Sequence, residues 1–509
     1  MLFIRRWIPI SCLASCMIFT FWYLSRARSL QIPPSTGSEP ITGGSPFNRH
    51  GNGTFHWTKA EEHYPVKSMI PLPSGLPVKI PQIQHDFPRE THQARSIREE
   101  RLHAVRASFL HSWEGYKQNA WMHDEVAPVT GGYRNTFGGW SATLVDTLDT
   151  LWIMGLKGEF EMALRDVANI DFTTTDEGTL NVFETNIRYL GGLLSAYDVS
   201  EGKYPILLEK ASGLGEMLYA AFDTPNRMPI TRWDWRSSAM GKAQEADETV
   251  LVAEIGSLTL EFTRLSQLTG NLRYYDAVQR IMNEFERSQQ KTKLPGMWPL
   301  IINARKLIFD FSTFTLGGMS DSLYEYLPKE HLLLGGRTQQ YRKLYEASIN
   351  VIKKHIFYRP LTQNNQDILL SGSARVNMME NVIPEPQAQH LACFTGGMVG
   401  LAAKIFERPD DLVVARKLVD GCIWAYNNTA TGIMPETFHT VSCDDPTDCE
   451  WDERRWHSAV ASRQTQTEAA AGTATMTTLT ADQRVEHSIK SKKLSPGFTD
   501  IGDRRYSLR

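Results

Sequence analysis

The sequence predicts an all-α protein, a barrel or toroid of paired helices. From about Ala94 onward, apolar residues recur at helical spacing in about eleven successive segments. Turn signals such as Thr269-Gly270-Asn271 and Arg408-Pro409-Asp410 separate some of them. No fixed repeat period is visible, which argues against a regular solenoid. The 509 residues, 41% hydrophobic and 22% charged, supply one large core or two smaller ones. A formal net charge of -3 leaves no electrostatic footprint for nucleic acid.

Taken in order, the chain first shows an uncharged apolar run, Trp7 to Leu24, bounded by Arg5-Arg6 and by Arg26 and Arg28. It is just long enough to span a bilayer, and no small-residue cleavage site follows. Residues 1–28 are therefore expected to be a cytoplasmic tail and transmembrane signal anchor. Residues 29–93 are rich in Pro, Gly, Ser and His and read as a disordered stem. Asn52-Gly53-Thr54 in the stem and Asn427-Asn428-Thr429 further on are glycosylation sequons.

Residues 94–509 form the expected globular domain. Its helices are read at Ile97–Asn119, Trp140–Met154, Glu159–Ala168, Val182–Val199, Tyr204–Ala221 and Thr249–Leu268. Leu272–Arg287, Ser320–Leu327, Tyr341–Ile356, His390–Phe406 and Leu412–Tyr426 complete them. Alternation in Leu300 to Phe309 predicts a β-hairpin within Pro295 to Phe311. Gln464 to Lys493 is Thr-, Ala- and Lys-rich with few large apolar residues, and reads as a surface loop or disordered insertion.

Cys393, Cys422, Cys443 and Cys449 match no common zinc spacing. They allow three pairings. Cys393–Cys422 with Cys443–Cys449 is favoured, which presumes an oxidising lumen.

The central stretch is Asn181 to Tyr197. Phe183, Ile187, Leu190, Leu194 and Tyr197 mark one helical face, and Glu184 and Arg188 stand one turn apart. Gly191 and Gly192 let another helix or a sugar approach. Alone, this is a core helix with a surface ion pair. Acids inside apolar patterns recur, however: Asp146, Asp149, Glu254, Asp321, Glu325 and Glu436. Buried acids need partners. Glycoside hydrolysis gives several such acids one explanation: a carboxyl to protonate the leaving oxygen, a carboxylate to activate water, and others to bind hydroxyls.

Several segments carry a resemblance. They are Ala120-Trp121-Met122-His123-Asp124-Glu125, Phe137-Gly138-Gly139-Trp140, Asp146-Thr147-Leu148-Asp149-Thr150-Leu151-Trp152 and Phe183-Glu184-Thr185-Asn186-Ile187-Arg188. Asp321-Ser322-Leu323-Tyr324-Glu325-Tyr326, His390-Leu391-Ala392-Cys393-Phe394 and Gly432-Ile433-Met434-Pro435-Glu436 continue them in order. From about Ala94 the chain resembles the class I α-mannosidases of glycoside hydrolase family 47. The resemblance implies an (α/α)7 barrel and inverting, Ca2+-dependent hydrolysis of terminal α-1,2-linked mannose from high-mannose N-glycans. It implies a monomer in the endoplasmic reticulum or Golgi, with a lumenal catalytic domain. By motif, Glu184 matches the general acid and Asp321 a catalytic carboxylate. Asp149, Arg188, Glu254, Glu325 and Glu436 match substrate-cleft positions. Cys393 and Cys422 match the family's disulfide.

The sequence also departs from the family pattern. Met122 and Ser141 stand where relatives commonly carry Gly. In the family, the segment like Asp503 to Arg509 continues into Pro-Glu, whose glutamate is the proposed base. A later Thr-Glu motif supplies the direct calcium ligands. Neither lies within the 509 residues, so the expectation is a barrel without its closing helices and no metal ligand to name here. The competing reading is a non-catalytic relative that binds mannose glycans in glycoprotein quality control.

Overall fold

The computed structural model describes residues 54–471 and 480–502. The apolar run Trp7–Leu24 and Asn52 lie outside the described residues. Among the described residues, no helix is long and apolar enough to cross a membrane. From Phe55 onward the chain forms one compact unit.

Helix α1 (His92–Asn119) opens at Thr91, whose side chain accepts a hydrogen bond from the Ala94 amide. Only its C-terminal part enters the core, through Trp113 and Tyr116. Five helical hairpins follow. The first is α2 (Ala142–Asp146) and α3 (Leu148–Ile153) with α4 (Lys157–Val167). The second is α5 (Val182–Glu184), a π turn (Thr185–Leu190) and α6 (Gly191–Val199), with α7 (Pro205–Tyr219). A short helix, α8 (Trp235–Ala239), leads to the third: α9 (Val252–Gly256) and α10 (Thr259–Thr269) with α11 (Leu272–Ser288). The fourth is α12 (Asp321–Leu333) with α13 (Gln340–His355), and the fifth α14 (Phe394–Ile405) with α15 (Pro409–Asn427).

The first member of each hairpin packs on the first member of the next, which forms an inner layer of α3, α6, α10, α12 and α14. The second members lie outside. α11 shows why: Tyr274, Val278, Ile281, Met282 and Phe285 are buried at helical spacing, with polar residues on the other face. Pro205 and Pro409 open two outer helices, and Gly270 (φ 72°) ends α10 in the left-handed region. This is the all-α, α/α barrel architecture that the sequence predicts.

Short strands join the hairpins at one end. Leu180–Asn181 pairs with Arg232–Trp233, and Val250–Leu251 with Ile301–Ile302. Thr313–Thr315 pairs with Ser373–Val376, and Gln387–Gln389 with Thr437–Thr440. The expected hairpin is small: Asn303 and Ile308 bridge across its turn.

Three expectations are corrected. Thr249–Leu268 is not one helix: Val250–Leu251 is a strand, and Ser257 leaves helical geometry (φ -117°, ψ 41°) between α9 and α10. Gln464 to Lys493 is largely helical, in α16 (Glu453–Ala471) and α17 (Ala481–Lys492). Val485 is buried in the second of these helices, Trp456 and Val460 are buried earlier in the first, and Thr480 with Gln483 forms a capping box. The stem reading fails from Phe55 onward. Residues 55–90 lack regular structure but lie as a strap on the barrel wall. Trp57 N donates to Thr173 O (2.7 Å), Tyr64 N to Asp223 (2.8 Å), Ile70 N to Asp276 (2.8 Å) and Val78 N to Gly335 O (2.9 Å). Phe55, Trp57, Ile70, Leu72 and Ile83 pack against the core beneath. Apolar residues without a period still bury area.

Both expected disulfides are present, Cys393–Cys422 and Cys443–Cys449, with Cα separations of 6.0 and 5.6 Å.

Candidate active site

The inner helices start, and the outer helices end, at the strand-bearing end of the barrel. A recurring junction there sets the carboxylates. Strand Leu180–Asn181 runs into α5, whose third residue is Glu184. Strand Val250–Leu251 runs into α9, whose third residue is Glu254. Asp321 is the first residue of α12. The Glu436 carbonyl accepts from the amide of His390, at the turn that leads into α14 (2.8 Å). First-turn acids suit the positive end of the helix dipole. Asn181 caps α5 by accepting the Glu184 amide at 3.1 Å.

Direct contact joins Glu184 and Arg188, Nε to Oε2 at 2.8 Å. The Arg188 guanidinium also lies 4.3 Å from the Phe137 ring centre and 3.7 Å from Asp146 Oδ2. Both partners of the Glu184–Arg188 pair are partly exposed, so its use is orientation more than stability. The π turn begins just after Glu184 and contains Arg188. Inserted π turns are frequent at functional sites. The expected close approach at Gly192 is to a helix: a Cβ there would stand 2.8 Å from the Val145 carbonyl oxygen.

Asp146 is among the recurring acids in the sequence, but its motif gives it no role of its own. Burial pushes its carboxyl up to about 6; Arg188 opposes this, while Asp149 and Glu184 add to it. Asp149 itself accepts from Ser195 Oγ at 2.6 Å. The signal for Asp146 was its place in the same motif as Asp149, which alone could not rank the two.

Glu254 is buried and accepts from Arg232 Nη2 at 2.6 Å. Arg232 was missed; it sits opposite Asn181 in the strand pair, one junction from Glu184. Asp321 is pushed up by burial; bonds from Ser322 oppose this and Glu325 repulsion adds to it. Glu325 accepts from Lys329 at 2.7 Å. Glu436 is exposed.

Two buried acids underpin this end. Asp124 accepts from the amides of Phe137, Gly139 and Ala142 and from the Tyr189 hydroxyl, all within 3.0 Å. Glu261 accepts from Asn186 Nδ2 and from the Tyr326 hydroxyl, both at 2.8 Å. It thereby ties the π turn to the helix that carries Asp321 and Glu325. Burial pushes Glu261 up to about 7, against the bonds from Tyr326 and Asn186.

Among the described residues, no group of three or more His, Cys, Asp or Glu is placed to hold a metal ion. The carboxyl chemistry is therefore derived from the described side chains alone.

The array can do carboxyl chemistry at an end of the barrel that also offers the guanidinium groups of Arg188 and Arg232. Comparisons with known proteins agree. Residues 108–509 match the sequence profile of Glycosyl hydrolase family 47. A mannosyl-oligosaccharide alpha-1,2-mannosidase 1B of Aspergillus phoenicis is 34% identical over 367 residues, 70% of this chain and 69% of the relative. Its counterpart in Aspergillus oryzae is 33% identical over 386 residues, 73% of each. Among solved structures, alpha-1,2-mannosidase from Trichoderma reesei superposes with a TM-score of 0.61 at 31% identity, covering 68% of this chain and 72% of that one.

Proposed function

The chain belongs to glycosyl hydrolase family 47, and from that premise we propose that it hydrolyses terminal α-1,2-linked mannose from high-mannose N-glycans of glycoproteins. The observation that carries this reading is the row of junctions that sets Glu184, Glu254 and Asp321 at one end of the barrel. Glu184, oriented by Arg188, protonates the leaving glycosidic oxygen through a water as the C1–O bond breaks, while a second water adds to C1 from the opposite face and gives its proton to a carboxylate base. Asp321 is the second catalytic carboxyl. Asp149, Glu254, Glu325 and Glu436 accept hydrogen bonds from sugar hydroxyls. Arg188 also contributes to the cleft. Inversion at C1 and calcium dependence belong to the same proposal; an anomer-resolved assay and a chelator titration test them.

One observation favours a second assignment within this mechanism. Burial raises the Asp321 carboxyl, which suits a group that must hold a proton. The two assignments differ in pH profile. A proton donor is competent below its pKa, so removing it abolishes the alkaline limb of the rate.

We also place the chain in the lumen of the endoplasmic reticulum or Golgi as a monomer, held by the apolar run at Trp7–Leu24. The two disulfides support an oxidising compartment. Carbonate extraction of the full chain tests the anchor: release into the soluble fraction would count against it.

The deciding experiment is mannose release from α-1,2-mannobiose by the full chain and by Glu184→Gln. The substitution keeps shape and removes the proton donor, so kcat should fall about 10²–10⁴-fold. A variant with full rate would remove Glu184 from the mechanism. Glycan binding by the parent chain without turnover would favour the non-catalytic reading.

A further inference from the structure

Asn427 is the last residue of α15 and is exposed. It opens the triplet Asn427-Asn428-Thr429, whose middle residue is not proline. The two asparagines are not equivalent. Asn428 Nδ2 donates to Pro496 O at 2.8 Å. The Asn427 side-chain amide makes no hydrogen bond among the described residues. The Thr429 hydroxyl bonds the carbonyls of Tyr426 and Ile433 at 3.1 and 3.0 Å, which fixes the chain just beyond the helix end.

Asn427 lines an open groove of about 560 Å³. Gln363, Asn364 and Gln366 line it too, with Ile423 and Trp424. Side-chain amides can donate to and accept from sugar hydroxyls and an acetamido group. Ile423 lies one turn before Asn427 and is 50% exposed; Ile433 nearby is 48% exposed. Exposed apolar side chains beside amides make a surface that a pyranose can cover with its C–H face. A short chain segment with a free acceptor amide, a groove of sugar-compatible chemistry and an uncovered apolar rim coincide at this point.

We propose that Asn427 carries an N-linked glycan whose first N-acetylglucosamine lies in this groove. The inference rests on the lumenal placement of the proposed function. The co-reactant is a lipid-linked oligosaccharide diphosphate, used by the secretory pathway's glycosyltransferase before the chain folds. Asn427 Nδ2 forms a bond to the anomeric carbon and loses a proton. The bond from that carbon to the phosphate oxygen breaks, and the lipid diphosphate leaves with the electron pair. The folded structure need only accommodate the product, and an exposed helix end does so.

The test is expression of the full chain in a eukaryotic secretory host, followed by peptide mapping. Amidase release converts a glycosylated Asn427 to aspartate, and the same digest reports the Cys393–Cys422 disulfide. The expected result is modified Asn427 with the disulfide formed. Asn427→Gln and Thr429→Ala should each lose the modification, and Asn428→Gln should keep it. A formed disulfide with unmodified Asn427 would overturn this proposal alone. Free thiols with unmodified Asn427 would overturn it together with the lumenal placement. The seat is tested by hydrogen exchange on material trimmed to one sugar or fully deglycosylated. Residues 363–367 should exchange several-fold faster once the last sugar is gone. Equal exchange would remove the groove from the proposal.

Discussion

The barrel holds its two hydrophobic cores by different means. The larger runs from Trp113 to Leu418 and fills the space between the helix layers. Its polar residues are held by buried hydrogen bonds: Asp124 collects four donors, and Glu261 ties Asn186 to Tyr326. The smaller core lies between Leu361 and Phe498 and has fourteen buried residues among those described. Phe498 packs there against Trp424 and Phe438, with ring centres 5.1 and 5.0 Å apart. Both disulfides adjoin this smaller core. A small core buries too little area to hold itself, and cross-links make up part of the difference. The contrast extends to the site. Glu184 and Glu254 are oriented by guanidinium partners, whereas Glu436 is exposed at a strand end.

The largest test of this contrast is Asp124→Ala. It strands four donors in the large core, and breaking a buried charged network costs about 3–5 kcal/mol. Urea unfolding should show the loss, and hydrogen exchange should place the opening at residues 137–142. Next is Cys393→Ser with Cys422→Ser, which opens a cross-link spanning 29 positions. The loss should be about 3–4 kcal/mol in the chain-entropy model. Exchange should accelerate at residues 361–440 and stay unchanged around Glu261. Uniform acceleration across both regions would erase the distinction between the cores.

The third test probes the large core by pH. Burial pushes Glu330 up to about 8 from an ordinary 4.5, and its carboxyl accepts from Thr263 at 2.7 Å. The folded state thus binds more protons than the unfolded state between these values. The stabilisation is fully present below about 4.5 and is lost as pH rises through about 8. Glu330→Gln should flatten that slope, by roughly 2–4 kcal/mol between pH 5 and pH 8. A parent chain equally stable at both pH values would contradict the buried, neutral carboxyl.

The smallest effect concerns the two departures from family glycines. Met122 and Ser141 both have φ 63°, and the Ser141 hydroxyl lies 3.9 Å from Met122 Sδ. Left-handed backbone costs an ordinary residue about 1–2 kcal/mol. Ser141→Gly should therefore raise stability by about 0.5–1 kcal/mol after the entropy cost of glycine. A falling melting temperature would mean that the side-chain contact outweighs the strain.

The helices were legible because their apolar residues keep a period near 3.6 through the whole barrel. The Glu184–Arg188 pair was legible for the same reason, since four residues make one turn. The junctions were not. Leu180–Asn181 and Val250–Leu251 are two-residue strands, too short to alternate. Nothing local marks the π turn at 185–190, which reads like any helix in sequence. Gly192 signalled a close approach, but its partner, the Val145 carbonyl, is set by packing. Arg232, Glu261 and Glu330 were hidden because their partners are 22, 75 and 67 positions away. The strap was misread because its apolar residues follow the contours of the barrel wall and so have no period.

That strap has a mechanical consequence. Its backbone bonds reach successive hairpins in chain order, at Thr173, Asp223, Asp276 and Gly335. A pull applied at Phe55 therefore meets them one at a time and peels them like a seam, before any load reaches α1. Thirty-odd residues released at about 3.3–3.6 Å each give roughly 120 Å of extension. The strap is a sacrificial tether, and pulling from residue 55 should register this lengthening at low force ahead of barrel rupture. A single rupture with no earlier extension would show that strap and barrel yield as one body.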